Sequence, residues 1–453
     1  MTRGRAGEVG VPTRRTGRTR ATGATGGTRA TRRPRGTLSA LAAALALVTA
    51  SAGVAGADGP ADGGAAYETA RDARAVRGAS VSTEGPRLRT GTYTDTIATG
   101  AKKYYRVALD DTSNAYVSAV LAPPPGVEVS PGDGLRISLE STDGAKCSVA
   151  NEVTFGSTTA RPIADYATRR IGPDRQCQSA GDYLFSIQWI GTGAGPGTTG
   201  WPVELKYMTE PGLVAGAATP SAPSGWSSKA PAPEPGQGAG APVSGGTGFN
   251  DAPTVTPGAW KDELNPGESR FYKVPVQWGQ QLLLNAEFAN STARQPPFVV
   301  GGLRLSLFNT ARGFVRSVDA DYVGKPASVG FAPAPASFAN RTSAQDDTGA
   351  MRFSGWYYVR VSLDRQVDSP LPMTLRVGLQ GEPQQGPAYN GDASAAGFGV
   401  GDGTGRRSGL PLRTIGIAGI SVGTALVLAL AVWAVLSRRG RGANTAPPVH
   451  WEL

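Results

Sequence analysis

Histidine is all but missing from this 453-residue chain: the single one is His450, close to the C-terminus. Ser-His-Asp and Cys-His nucleophilic centres, and zinc sites that use imidazole, need histidine inside the folded region, so those chemistries are excluded there. Cysteine is nearly as scarce, with only Cys147 and Cys177. Charged residues make up 18% of the chain, and a charge-free apolar run of bilayer-spanning length occurs once, from Thr414 to Leu436. What the chain does have is glycine (63), proline (35) and a strong internal echo.

The formal charge of +10 is concentrated at the start. Residues 1–57 hold ten arginines and one glutamate, so the remainder carries 35 basic and 34 acidic residues, a net of +1. Without the six arginines that flank the 414–436 run and without Glu452, the net is −4, which leaves no basic surface for a polyanion such as nucleic acid. The arginine-rich start followed by the apolar Leu38–Ala50 run reads as a secretory signal peptide, with small residues at Ala55 and Ala57 placing cleavage between Ala57 and Asp58. At about 1.5 Å per residue, residues 414–436 span the roughly 30 Å of bilayer hydrocarbon. Arg438, Arg439 and Arg441 follow directly, so the expected orientation is type I in the plasma membrane, with the bulk of the chain outside and a short tail, 437–453, in the cytoplasm. Gly419 and Gly423 form a small-xxx-small pair that lets two such helices approach closely. In an exported chain the two cysteines are expected to form a disulfide.

The echo is a duplication. Gly78, Pro86, Gly91, Asp95, Gly100, Tyr105 and Val107 recur as Gly245, Pro253, Gly258, Asp262, Gly267, Tyr272 and Val274, at a constant offset of 167 residues. Within each copy the hydrophobic period is two: Leu135, Ile137 and Leu139 answer Leu303, Leu305 and Leu307, and Tyr183, Phe185, Ile187 and Trp189 answer Tyr357, Val359, Val361 and Leu363. Val203, Leu205 and Tyr207 answer Met373, Leu375 and Val377. Alternating strands between Gly, Pro, Asp and Asn turns, with helices absent, predict an all-β chain of two tandem antiparallel β-sandwiches, plus the C-terminal transmembrane helix. The expected layout is a signal peptide at 1–57, a spacer at 58–77, repeat 1 at 78–212, and a Pro/Ala/Gly-rich linker at 213–244. Repeat 2 at 245–383, a flexible linker at 384–413, the helix and the tail complete it.

The segment Gly91-Thr92-Tyr93-Thr94-Asp95-Thr96-Ile97 with Gly100 and Tyr104-Tyr105-Arg106-Val107, then Gly181-Asp182-Tyr183-Leu184-Phe185-Ser186-Ile187, resembles the bacterial pre-peptidase C-terminal domain family. Gly258–Leu264, Gly267-Glu268, Phe271–Val274 and Gly355–Val361 repeat that resemblance in the second copy. It implies a jelly-roll-like sandwich and an accessory or binding role; the chain departs from the family in having no protease domain and in carrying a membrane anchor.

Carboxylates remain as possible chemistry, since a paired-carboxylate hydrolase needs only Asp or Glu. Asp95 and Asp262 recur, but in glycine-turn contexts where an Asp side chain bonds nearby backbone. No catalytic or cofactor-binding residue is assigned, and the chain is read as a non-enzyme. Calcium is the one candidate ion, because relatives of this domain type bind it and Asp110-Asp111, Asp319 with Asp321, and Asp346-Asp347 supply hard oxygens. Trp189, Trp201, Trp260, Trp278 and Trp356 lie on or beside strands, where a sugar-stacking platform would need them. The Ala-, Gly- and Arg-rich composition points to an actinobacterial cell surface. There the chain is expected to bind an extracytoplasmic protein partner, with a cell-wall or glycan-binding module or a structural stalk as the alternatives.

Overall fold

The computed structural model describes residues 65–173, 175–192, 195–197, 199–229 and 240–400. Ten strands build the first repeat: β1 Arg74–Ala75, β2 Arg87–Leu88, β3 Gly91–Ile97, β4 Lys102–Leu109, β5 Asn114–Leu121, β6 Gly134–Ser141, β7 Asn151–Thr154, β8 Ile163–Arg169, β9 Gly181–Ile190 and β10 Trp201–Glu210. Nine build the second: β11 Ala241–Pro242, β12 Gly258–Leu264, β13 Ser269–Val276, β14 Gln281–Phe288, β15 Val299–Phe308, β16 Phe314–Tyr322, β17 Ala327–Phe331, β18 Gly355–Leu363 and β19 Leu371–Gln380. The period-two residues named above are the buried ones in both halves, so strand alternation is what turns each copy's apolar set inward.

In the first repeat the sheets run β1-β3-β10-β5-β8 and β2-β4-β9-β6-β7; in the second, β11-β12-β19-β14-β17 and β13-β18-β15-β16. Setting aside the short strands β1, β2 and β11, each repeat is eight antiparallel strands whose order is that of a jelly roll. One apolar core fills the space between the sheets of repeat 1, around Leu135, Phe185 and Leu205, and another that of repeat 2, around Leu305, Val359 and Leu375. Even the lesser pairings are duplicated. The parallel Arg87↔Arg106 pair recurs as Thr254↔Lys273, and the Ala79↔Tyr104 bridge as Gly246↔Phe271.

The recurrent Gly, Asp and Tyr are one device. The Asp95 carboxylate accepts the Gly78 N–H at 2.8 Å and the Tyr105 hydroxyl at 2.6 Å; Asp262 accepts Gly245 N–H and the Tyr272 hydroxyl, both at 2.7 Å. A Cβ on Gly78 would lie 2.6 Å from the Tyr105 ring, and one on Gly245 2.8 Å from that of Tyr272, so glycine is needed for the lead-in segment to reach the carboxylate. These aspartates sit inside β3 and β12, not in turns, and bond backbone 17 residues upstream as well as their own neighbour. The turn expectation is corrected accordingly.

Other expectations shift at the edges. Short helices exist: α1, Asp346–Ala350, and two 3-10 turns, Ser82–Glu84 and Phe338–Thr342, the second capped by the Ser337 hydroxyl. The stretch read as a spacer joins the fold, since Arg74–Ala75 pairs with Tyr93–Thr94 and Tyr67 bonds Glu204. The second linker is packed as far as it is described: Gln384 N–H bonds the Trp278 carbonyl, the Tyr389 hydroxyl bonds Glu210, and Phe398 is buried against Tyr116 and Phe353. The proposed cleavage point Ala57/Asp58, the 414–436 span with Gly419 and Gly423, and the tail lie outside the described residues. Among the described residues no helix is long and apolar enough to cross a membrane.

The two repeats belong to one compact unit. The outer face of β10, β5 and β8 packs on the outer face of β13, β18 and β15, joining Val120 and Ala164 to Phe249, Phe271 and Phe308. Glu204 on β10 and Arg312 in the β15–β16 turn form a fully buried ion pair at the centre. Glu204 also accepts from Tyr67, from the Ala70 N–H and from Asn250, while Arg312 donates to Asn250 and lies 5.1 Å over the Phe249 ring. A second buried carboxylate, Glu210, accepts from Asn114, Tyr116, Arg341 and Tyr389. Every one of these acceptors is used, which is the condition for a buried charge to be tolerated.

Candidate functional site

Cys147 and Cys177 form a disulfide across 30 residues, and its half-cystines pack against the first repeat's core. The tryptophans do not assemble a platform. Trp189 and Trp201 are buried in repeat 1, edge-on to each other at 5.6 Å. Trp260 packs against the second core and donates its indole N–H to the Thr256 carbonyl, Trp278 meets Phe338 edge-on at 6.4 Å, and Trp356 lies under the Lys273 ammonium. An open groove of about 1010 Å3 beside β3 is lined by Asp95, Lys102, Lys103, Glu84 and Thr199 among others, with no aromatic side chain on its walls.

Of the carboxylates weighed for calcium, Asp110, Asp319, Asp321 and Asp347 are already engaged. Partial burial opposes ionisation of Asp110, but the backbone and hydroxyl donors of Thr112 and Ser113 outweigh it and hold its carboxyl below the usual range. Asp319 receives the Arg304 guanidinium and Asp321 the Gly301 N–H, and Asp346 and Asp347 open the short helix α1. Among the described residues no three His, Cys, Asp or Glu side chains converge on one point.

The surface feature that stands out is apolar. Phe298 is 63% exposed, Val300 75% and Val323 47%, at one end of the second repeat. Buried Val299 pairs with buried Tyr322, so one step further out the register sets Phe298 opposite Val323 on the outward side. A bulge between Val299 and Leu303, with Gly301 N–H bonded to Asp321, lets the strand present Val300 to solvent before resuming its inward run at Leu303. The loop that carries Phe298 is held in place: Ser291 N–H bonds the Gly324 carbonyl, the Tyr322 hydroxyl donates to Ala289, and Ser291 and Ser369 hydroxyls meet at 2.9 Å. Pro297, Arg294, Asp321 and Lys325 on the same two segments are also exposed. Adjacent exposed apolar side chains are less common than isolated ones, which are ordinary on any surface.

No family model matches the chain, and no curated protein matches it. Solved structures with remote likeness are β-rich. The ANX1 ectodomain from Arabidopsis thaliana is 10% identical over 66% of this chain and 91% of that one, with a TM-score of 0.18. The CBM22-1–CBM22-2 tandem domain of Paenibacillus barcinonensis Xyn10C is 10% identical over 67% and 95%, with a TM-score of 0.15. A triple jelly roll protein of an archaeal virus turret is 10% identical over 63% and 58%, with a TM-score of 0.16.

The rim was not among the residues the sequence singled out. Its signal was present in Pro296-Pro297-Phe298-Val299-Val300, where a turn-forming proline pair precedes an apolar triplet. Alternation allows only one face of that triplet to be core, so either Val299 or the Phe298 and Val300 pair must face out.

Proposed function

We propose that the chain is a non-enzymatic, single-pass surface protein whose two jelly rolls act as one extracytoplasmic unit and bind a protein partner through the rim of Phe298, Val300 and Val323. The exposed, loop-anchored apolar rim carries this reading. A glycan site would call for exposed coplanar aromatics, and Trp189, Trp201, Trp260, Trp278 and Trp356 are instead buried or packed one by one. Export by the 1–57 segment and anchoring by 414–436 belong to the same proposal, as does the family resemblance read from the two copies.

The test is affinity capture from crosslinked native membranes with tagged full-length protein, against the double substitution Phe298→Ser and Val300→Ser and an anchor-only chain of residues 406–453. One stoichiometric protein captured by the full chain and lost from both controls is the expected result. Capture of wall fragments in place of protein would replace the reading with the glycan-binding alternative. Retention of the partner by the double variant would remove the rim from it.

A further inference from the structure

Where repeat 1 meets repeat 2, a cavity of about 190 Å3 gathers three guanidinium groups: Arg161 just before β8, Arg304 on β15 and Arg360 on β18. Arg360 pairs across the ladder with Ser306, two residues from Arg304, so both project from one face of the second repeat toward Arg161 of the first. Arg161 and Arg360 leave donors unused. Arg161 donates through Nη1 to Ser157 Oγ at 2.8 Å and Thr159 O at 3.3 Å, and through Nη2 to the Phe155 carbonyl, and its Nε has no partner. Arg360 donates to the Pro162 carbonyl and to Ser306 Oγ at 3.0 Å, and its Nε too has no partner.

Both side chains are nearly sealed from water, each residue being 4% exposed. Neither meets a carboxylate among the described residues. Asp319 is taken by Arg304 through Nε and Nη2, and the Arg304 Nη1 donates to the Phe155 carbonyl at 3.3 Å. Asp165, also on the cavity wall, is committed to the backbone N–H groups of Tyr166 and Phe314, and Glu152 is paired with Arg136. Burial, then repulsion from Arg304, pushes Arg161 down to about 9, and burial followed by repulsion from Arg161 and Arg304 carries Arg360 well below the ordinary guanidinium range. Three guanidinium groups, two of them buried, around one paired carboxylate leave positive charge in excess, which is the condition that binding an anion relieves.

We propose that this cavity is a binding site for a tetrahedral oxyanion, a phosphate or sulfate group, held jointly by Arg161, Arg304 and Arg360. Guanidinium forks arriving from both repeats offer more donors than a planar carboxylate has oxygens to receive, and a tetrahedral group accepts from several directions at once. Ile163 and Phe308 on the walls keep the field unscreened. Because its ligands come from both repeats, the anion would also fasten the seam.

The experiment is equilibrium dialysis of full-length protein in detergent with labelled inorganic phosphate at fixed ionic strength, together with thermal unfolding in matched chloride. One phosphate per chain, competed by sulfate and accompanied by a higher Tm, is expected. Arg161→Gln should weaken binding by about tenfold or more. Arg360→Lys, which keeps the charge and loses the fork, guards against simple misfolding and should also weaken it. Arg87→Gln, at an exposed pair with Asp182, should bind as the parent does. Glycerol phosphate as competitor separates the sources: competition assigns the site to a phosphate ester on a larger molecule, and its failure beside effective sulfate assigns it to the free ion. No saturable binding at millimolar phosphate, or equal binding by parent, Arg161→Gln and Arg360→Lys, overturns the proposal.

Discussion

The two repeats are the same jelly roll used for different purposes. Each keeps the Gly–Asp–Tyr lock, the alternating inward face and the strand order, and these are the features that make the fold. They part company outside the core. Repeat 1 carries the disulfide and offers its β3-β10-β5-β8 sheet to its neighbour; repeat 2 has no cysteine, offers the opposite type of sheet, β13-β18-β15-β16, and bears the exposed rim. What duplication preserved is structural, so the function is to be sought in what it did not preserve. The pairing of unlike faces is heterologous, which leaves the second repeat's β12-β19-β14 sheet and the first repeat's β4-β9-β6 sheet outside this contact.

The hardest blow to this arrangement is at its centre. Glu204→Ala leaves Arg312 buried without a counter-charge, which is expected to cost about 3–5 kcal/mol. Calorimetry of the full-length protein should then show the repeats unfolding in two transitions where the parent shows one; a single cooperative transition in the variant would mean the seam is held chiefly by its apolar contacts. Next in size is the asymmetry of the staple. Removing the Cys147–Cys177 bridge with paired Ser substitutions should cost about 3–4 kcal/mol from the loop it closes, read as a lower midpoint of the shared transition, with faster local hydrogen-exchange openings confined to β6 to β9. Smaller, and symmetric, is the lock. Asp95→Ala and Asp262→Ala each strand a buried Tyr hydroxyl and a backbone N–H, at about 1–3 kcal/mol apiece, measured as the drop in denaturation midpoint. Equal losses would confirm that the lock is shared architecture. A much larger loss for Asp95, which also holds Lys103 at 2.6 Å, would show that the copies have diverged there.

Sequence alternation made each sandwich readable and was silent about the seam for a physical reason. A period of two separates the inside of one sandwich from its outside, and it carries no information on whether that outside is covered by a second body. Glu204 and Lys206 stand on the outward side of β10, where a polar residue ordinarily meets water, yet Glu204 is 1% exposed. A local signal did exist in β5: Asn114–Leu121 contains no charge, and all eight residues are buried, as a strand covered on both faces must be. The duplicated aspartates were visible as recurrences, but their partner lies 17 residues away across a strand, a distance that turn chemistry does not suggest. With two cysteines in the sequence only one pairing exists, and that is the bridge the structure forms.

The effect most informative about the seam is a pH dependence, because two acids of the same repeat 1 sheet, Glu204 on its outer face beside Val120 and Asp165 on the edge strand β8 opposite Ala119, have opposite pH signatures. Burial works against ionisation of Glu204, but Arg312 prevails and holds its carboxyl below the usual range, so its contribution is present above about pH 4.3 and lost as pH falls through its folded value. Asp165 goes the other way. Burial pushes its carboxyl up to about 7, with neighbouring Asp346 adding to the rise against the N–H groups of Phe314 and Tyr166. The folded state therefore binds the extra proton between about pH 4 and pH 7, and stability from this group is full at the acid end and lost as pH rises through 7. Asp165→Asn keeps an oxygen to accept the Phe314 N–H, which comes from the other repeat, and removes the titration. The difference in Tm between variant and parent should thus grow in the variant's favour from pH 4 to pH 8. A difference that stays flat over that range would place the Asp165 carboxylate in contact with water, and the seam at that edge would be open where its centre, at Glu204, is closed.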